Sequence, residues 1–289
     1  MEFDLALQTA ANAGILTCIY ALIAVGLAIM FGVMKMANMA HGEFYMVGAY
    51  CVYLLYAVAG WPFPAAVIGG IAIVAGLGLV VERAIFRPLR GQVVVGYIAT
   101  AGLMFMLQVG MGQIFGVGRP EIVPTYLTGS VGFLGTIVGS QRLLVVPAAV
   151  AALLLLWFFL HRMKAGRALR AVAQDPEAAA LQGISIDRMS ALAIGIGSAF
   201  AGLAGGLMAP VYPVTPYMGH AVILIAFIIV IVGGLGSIMG AVIASVIFGF
   251  IYTFVTTIAD GVLASIIGVI VMLVVLAIKP TGLLGHVKA

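Results

Sequence analysis

Two stretches of this chain gather side chains that could do chemistry. In the first, KMANMAHGE at residues 35–43, an amide (Asn38), an imidazole (His41) and a carboxylate (Glu43) lie close together, with Tyr45 just beyond and apolar runs on either side. In a helix, Asn38, His41 and Tyr45 would share a face by their i to i+3 and i to i+4 spacing. Two readings fit. At membrane depth these groups would line a route for a polar solute, because ionisable groups there are costly and face protein or water. In a turn beyond the apolar run, His41 and Glu43 would sit in water and Asn38 would cap the next helix.

The second stretch, HRMKAGRALRAVAQDPEAAALQGISIDR at residues 161–188, is long, charged and helix-capable. Asp175 suits an N-cap, Pro176 the first helical position and Glu177 the positive helix end, while Gly183 suits the residue just past the C-terminus. The spacing predicts a two-turn helix carrying Ala178, Ala179, Ala180 and Leu181. So short a helix needs packing to persist. Its alanines make it slim enough to enter a partner's groove, although a capped turn joining two spans would look the same. A third stretch, VGGLGSIMG at residues 232–240, breaks an apolar run with Gly233, Gly234 and Gly236. It is either a half-helix break whose free backbone groups face a polar cavity or a place of close helix packing.

Other chemistry lacks its parts. The chain contains no G-x-x-x-x-G-K-[ST] loop to cradle nucleotide phosphates and no H-E-x-x-H metal motif, and its four histidines are isolated. Neither catalytic residues nor a metal site is expected, and Cys18 and Cys51 fall in apolar runs as small hydrophobes. His220 and Asp260 fall near the outer ends of spans.

The elements that must position these residues are membrane spans. Hydrophobic residues make up 64% of the 289 and charged residues only 8%, too few to cover a water-soluble globule. This composition argues against nucleic acid as a partner. The expected fold is all-α, a single polytopic transmembrane bundle over residues 1–289. A span needs about 20 apolar residues to cross roughly 30 Å of hydrocarbon. Seven runs qualify clearly, near 11–33, 63–81, 93–115, 143–160, 189–209, 238–258 and 262–278. Two shorter ones, near 44–60 and 221–232, are tilted or broken spans, giving eight or nine in all. The first run follows Glu2 and Asp4 rather than a basic leader and is expected to stay as a helix.

If nine runs cross, Lys35, Arg83, Arg87, Arg90, Arg162, Lys164, Arg167, Arg170, Arg188, Lys279 and Lys288 share one side, against Arg119 and Arg142 on the other. The positive-inside rule makes that side cytoplasmic, with the N-terminus outside and the C-terminus inside. Residues 116–142, rich in Gly and Pro, form an external loop with room for a short interfacial helix.

EAAALQG within the second stretch resembles the EAA loop of bacterial ABC importer permeases. FGVMKMANMAHGEFYMVGAY, ERAIFRPLRG, GRALRAVAQDPEAAALQGI, AFAGLAGGL and VGGLGSIMGA together, in order over nearly the whole chain, resemble the branched-chain amino acid permease family. The resemblance implies a permease in a bacterial inner membrane, importing branched-chain amino acids or similar small polar solutes. Its implied partners are two cytoplasmic ATPase subunits, a second homologous permease and a periplasmic solute-binding protein. ATP and magnesium would be bound on the ATPases and no cofactor on this chain. Asp175, Glu177, Ala178, Ala179, Leu181 and Gly183 would dock the ATPase, with Arg167 and Arg170 beside them, and Asn38, His41, Glu43, Tyr45, Gly233, Gly234 and Gly236 would belong to the pathway. A secondary transporter or channel is the alternative; it would normally carry ionisable groups deep in several spans.

Overall fold

A computed structural model describes residues 2–133 and 136–285; Lys288, counted above among the basic residues, lies outside them. The chain folds as a helical bundle of α1 (Glu2–Met34), α2 (His41–Val52), α3 (Phe63–Val81), α4 (Val93–Phe115), α5 (Ser140–Arg162), α6 (Lys164–Gln174), α7 (Pro176–Leu181), α8 (Ile186–Met208), α9 (Met218–Gly233), α10 (Ile238–Ile258) and α11 (Gly261–Ile278). Two of them widen into π-helical turns, α2 through Tyr53–Val58 and α3 through Glu82–Phe86. Among the described residues seven helices are long and apolar enough to span a membrane, and α9 is a shorter apolar one. The chain is therefore a multi-pass membrane protein, as its composition requires. The seven clear runs fall on α1, α3, α4, α5, α8, α10 and α11, and the two short ones on α2 and α9.

The loop expected over residues 116–142 differs from expectation. Where an interfacial helix was possible, β1 (Ser130–Phe133) pairs antiparallel with β2 (Thr136–Gly139), and α5 starts at Ser140, before the expected end of the loop. The hairpin leans on the N-terminal half of α1, where Gln8 Oε1 accepts from the Ile137 N–H at 3.0 Å. Glu121 and Val214 exchange backbone hydrogen bonds of 2.9 and 2.8 Å, tying this loop to the link between α8 and α9.

Helix α1 is central: 72% of its apolar stretch is buried, against 11% for α11, whose Ile266, Ile270 and Leu273 face outward as lipid-contacting residues do. Helix α8 packs on α1, α2 and α3 at once. It does so through glycine, which removes the Cβ that would hold backbones apart. A Cβ at Gly48 of α2 would strike the backbone of Gly202, and one at Gly205 would overlap the carbonyl of Tyr45. In the same way Gly26 of α1 lies on the backbone of Gly197. Valine at position 205 therefore has to push two helices apart, and overpacking against rigid backbone costs about 1–3 kcal/mol or more. Gly205→Val is expected to lower the Tm of the detergent-purified protein by several degrees, whereas Gly102→Ala, with nothing within 4 Å of the added methyl, should leave it unchanged.

Candidate functional site: a buried polar break and a capped basic end

The break between α1 and α2 lies inside the bundle. Lys35 takes a positive φ of 55°, and the chain then turns inward, with Met36, Ala37, Asn38 and Ala40 all buried. Helix α2 begins at His41, whose Nε2 donates to the carbonyl oxygen of Ile23 at 3.1 Å. Ile23 lies eleven residues before the end of α1, about 16 Å along the axis at 1.5 Å per residue. Asn38, His41 and Glu43 are 1%, 0% and 0% exposed, so the reading that places His41 and Glu43 in water is corrected. The reason is the close approach of glycine-rich helices, which draws the start of α2 into the core.

Backbone groups freed by the break are satisfied by side chains, as membrane depth demands. Asn38 Oδ1 accepts from the Ala40 N–H at 3.0 Å, and Thr100 Oγ1 on α4 accepts from the Met39 N–H at 3.3 Å. Asn38 therefore closes the turn rather than capping α2, whose N-cap is Ala40. Glu43 Oε1 accepts from Gln108 Nε2 at 2.7 Å, a buried bond between α2 and α4. Among the described residues, Glu43 Oε2, His41 Nδ1 and Asn38 Nδ2 have no hydrogen-bond partner. The N-termini of α2 and α9 meet here, since Gly42 and Gly219 are in backbone contact and Glu43 Oε2 borders Gly219. A carboxylate at two helix N-termini sits where the helix dipoles favour negative charge. Thr100 and Gln108 escaped the sequence reading; the signal was two polar residues inside an otherwise apolar span.

Tyr45, one turn on from His41, is set apart from this cluster. It borders a cavity of about 530 Å³ between the N-terminal half of α1 and the C-terminal end of α10, together with Tyr20, Tyr212, Tyr252 and Arg142. Asn38, His41 and Glu43 do not line that cavity. His220, in the first turn of α9, is exposed, and Asp260 N-caps α11 by accepting from the Leu263 N–H at 2.7 Å. The break is closely packed at Gly233 and Gly234, while Gly236 also lines a cavity of about 460 Å³ with Lys35, Arg170 and Gln174. Gly234 and Gly236 take φ of 104° and 83°, Gly236 lies against Gly32 of α1, and Gly233 lies against Gly240. The carbonyls of Val232 and Gly233 accept from the Leu283 and Leu284 N–H groups at 2.7 and 3.0 Å, so these two face the C-terminal tail rather than a cavity.

The segment joining α5 to α8 lies at the basic end and folds as its residues predict. Asp175 Oδ1 accepts from the N–H groups of Glu177 and Ala178 at 3.0 and 3.1 Å. At the other end Gly183 has φ of 79°, its N–H donates to Ala180 at 2.9 Å, and the Ile184 N–H donates to Ala179 at 3.1 Å. These are the two bonds of a Schellman motif. Ala179 turns inward at 4% exposure while Glu177, Ala178 and Leu181 face out, Leu181 at 88%. Helix α6 buries Leu169 and Val172 and leaves Arg167 and Arg170 exposed. Lys35 Nζ donates to the Ala173 carbonyl oxygen at 3.0 Å, joining α6 to the end of α1.

Arg87 and Arg90 are engaged within the chain rather than free for a partner. Arg87 Nη2 lies 2.5 Å from Asp187 Oδ2, Arg90 pairs with Asp187 Oδ1, and Arg90 Nη2 is 3.7 Å from Glu82 Oε1. Each exposed pair contributes little alone, about 0–1 kcal/mol. Together they pin the link between α3 and α4 to the first turn of α8, directly after α7.

The buried Glu43–Gln108 contact makes a testable prediction. Gln108→Leu removes the Nε2 donor to a buried carboxylate and is expected to cost about 1–3 kcal/mol. Adding Glu43→Leu should restore part of that loss, so thermal melts of the two single variants and the double variant should be non-additive. Additive losses would show that the two groups act independently.

Comparison with known proteins agrees with this architecture. The family described as "Branched-chain amino acid transport system / permease component" matches residues 9–276. The high-affinity branched-chain amino acid transport system permease protein LivH of Escherichia coli (strain K12) is 33% identical, covering 99% of this chain and 97% of its own. The corresponding protein BraD of Pseudomonas aeruginosa is 30% identical over 92% of each. Among solved structures, PsaBC from Streptococcus pneumoniae in complex with Fab has a chain of the same fold, with a TM-score of 0.53, 15% identity and 97% of each chain covered. A family match over most of the length, full-length relatives and a multi-pass helical bundle lead to one conclusion: this chain belongs to the permease component family of branched-chain amino acid transport systems.

Proposed function

We propose that the chain is one membrane-spanning subunit of an ATP-driven importer of branched-chain amino acids or related small polar solutes, in a bacterial inner membrane. The observation that carries this reading is α7, a short helix capped at both ends at the basic end, with an apolar Leu181 almost fully exposed. A bare leucine outside the apolar belt fits a groove on another protein. One of two ATPase subunits, which hold ATP and magnesium, docks there, with Arg167 and Arg170 alongside, and the other docks on the second permease. A second homologous permease completes the pathway, and a periplasmic binding protein delivers solute. The basic end faces the cytoplasm and the N-terminus the periplasm, by the distribution of Lys and Arg.

The packing supports a mechanism. Closure of the ATPases around ATP displaces α7, and two residues, Ile184 and Ser185, separate it from α8. The Asp187 pairs make the α3–α4 link move with the base of α8. Because α8 meets α1 and α2 backbone to backbone, its motion reaches the polar break at Asn38, His41 and Glu43, where α2 and α9 meet. Tyr45 and the glycine turn at Gly233, Gly234 and Gly236 lie at the two ends of the path so moved.

In proteoliposomes, ATP-dependent uptake of labelled leucine is expected only with both ATPases, the second permease and the binding protein present; uptake by this chain alone without ATP would favour a secondary transporter. Leu181→Asp, on an exposed side chain, should leave the Tm unchanged but abolish co-purification of the ATPases. Gly183→Val forces a β-branched residue into positive φ, at a cost of about 1 kcal/mol or more. It should give assembled complexes that hydrolyse ATP but import leucine poorly, and normal import would count against coupling through α7.

A further inference from the structure

Two adjoining cavities open at the end opposite the basic one. One, of about 470 Å³, lies between the hairpin, the start of α5 and residues 8 and 12 of α1. The other, of about 530 Å³, continues inward between α1, α9 and α10. Asn12, Arg142 and Val211 border both, so Arg142 stands at the junction. Each volume lies in the range of small-molecule sites, about 300–1,000 Å³.

The lining has one sign of charge. Neither wall contains an acidic residue, and Arg142 is the cation in both. Among the described residues its guanidinium makes no ion pair; its recorded neighbour is the ring of Tyr212, with Cζ 5.9 Å from the centroid. The preceding residue of α5, Gln141, is 95% buried; its Oε1 accepts from the Tyr126 and Leu127 N–H groups, and among the described residues its Nε2 has no hydrogen-bond partner. A guanidinium that makes no ion pair among the described residues, set in a wall with no acidic residue, is a receptor for a carboxylate. Deeper in, Tyr20 and Tyr252 meet edge to face at 6.1 Å beside Tyr45, an aromatic and aliphatic wall for an apolar side chain.

We infer that this outer cavity is a solute-receiving site that recognises a small amphipathic carboxylate, with Arg142 at the carboxylate and Tyr20, Tyr45 and Tyr252 around the side chain. The inference rests on the importer reading and narrows it, since a neutral solute such as urea or a simple amide would have no use for Arg142. The ammonium group of an amino acid meets ring faces and threonine hydroxyls there rather than a second cation.

The test uses the complete reconstituted complex with Thr256, on the cavity wall, replaced by cysteine and with Cys18→Ala and Cys51→Ala to remove background. Leucine at ten times its Kd should slow thiol labelling at position 256 roughly tenfold by occupancy. Leucinamide, which keeps the side chain and ammonium but lacks the carboxylate, should not. Arg142→Gln should abolish protection and Arg142→Lys should keep part of it. Equal labelling with and without leucine would overturn the inference, as would protection by leucinamide. If Arg142→Gln fails to assemble, the leucine and leucinamide arms on the intact arginine decide. ATP-dependent leucine uptake, followed in parallel, separates the two readings: uptake without protection sinks only this site, and protection without uptake sinks only the importer assignment.

Discussion

Inside a bilayer every backbone N–H and carbonyl must find its partner within the protein, and the rest of this structure depends on how that demand is met where the chain stops being helical. Between Lys35 and His41 the backbone runs irregularly at depth. Asn38 and Thr100 accept from its N–H groups, and α1 offers the Ile23 carbonyl to His41. Side chains can do this only if helices come close enough to enclose the segment. Glycine makes that possible, with Gly26 against Gly197, Gly48 against Gly202 and Gly42 against Gly219. Larger residues at these crossings would hold the helices apart and leave the break facing lipid, at a cost of several kcal/mol per unsatisfied group.

The same tight packing makes a rigid connection from the basic end to the middle of the bundle. A loosely packed helix would absorb a push at its end, whereas backbone-to-backbone contacts give little room for side chains to yield. Helix α8 touches α1, α2 and α3 together. Its first turn is held by Arg87 and Arg90 through Asp187. In the mechanism proposed above, a displacement at α7 would pass to several helices at once. The exposed outer faces of α4, α5 and α11 are apolar, so lipid or a second permease can cover them without specific polar contacts.

What could be read from the sequence was local chemistry and hydropathy. The caps of α7 were legible because Asp175, Pro176 and Gly183 act within a few residues, and the structure shows each bond they predict. The spans were legible because lipid selects strongly for apolar runs. The surroundings of His41 and Glu43 were not, because burial there is set by glycines on α8 and α9 and by Gln108, 65 residues from Glu43. The same holds for Arg87, counted only among the basic residues of one side, which meets Asp187 at a separation of 100 residues. The β1–β2 hairpin was missed because its strands are four residues each, too short for an alternating pattern to stand out among glycines.

The central claim is that the polar start of α2 lies within the membrane-spanning core rather than in water at its edge. Single cysteines at positions 35 and 40, introduced with Cys18→Ala and Cys51→Ala and treated with a membrane-impermeant maleimide in inside-out vesicles, test it directly. The account predicts fast labelling at exposed position 35 and almost none at position 40, whose alanine is 0% exposed. Equal, rapid labelling at both positions would place the turn in cytoplasmic water and contradict it.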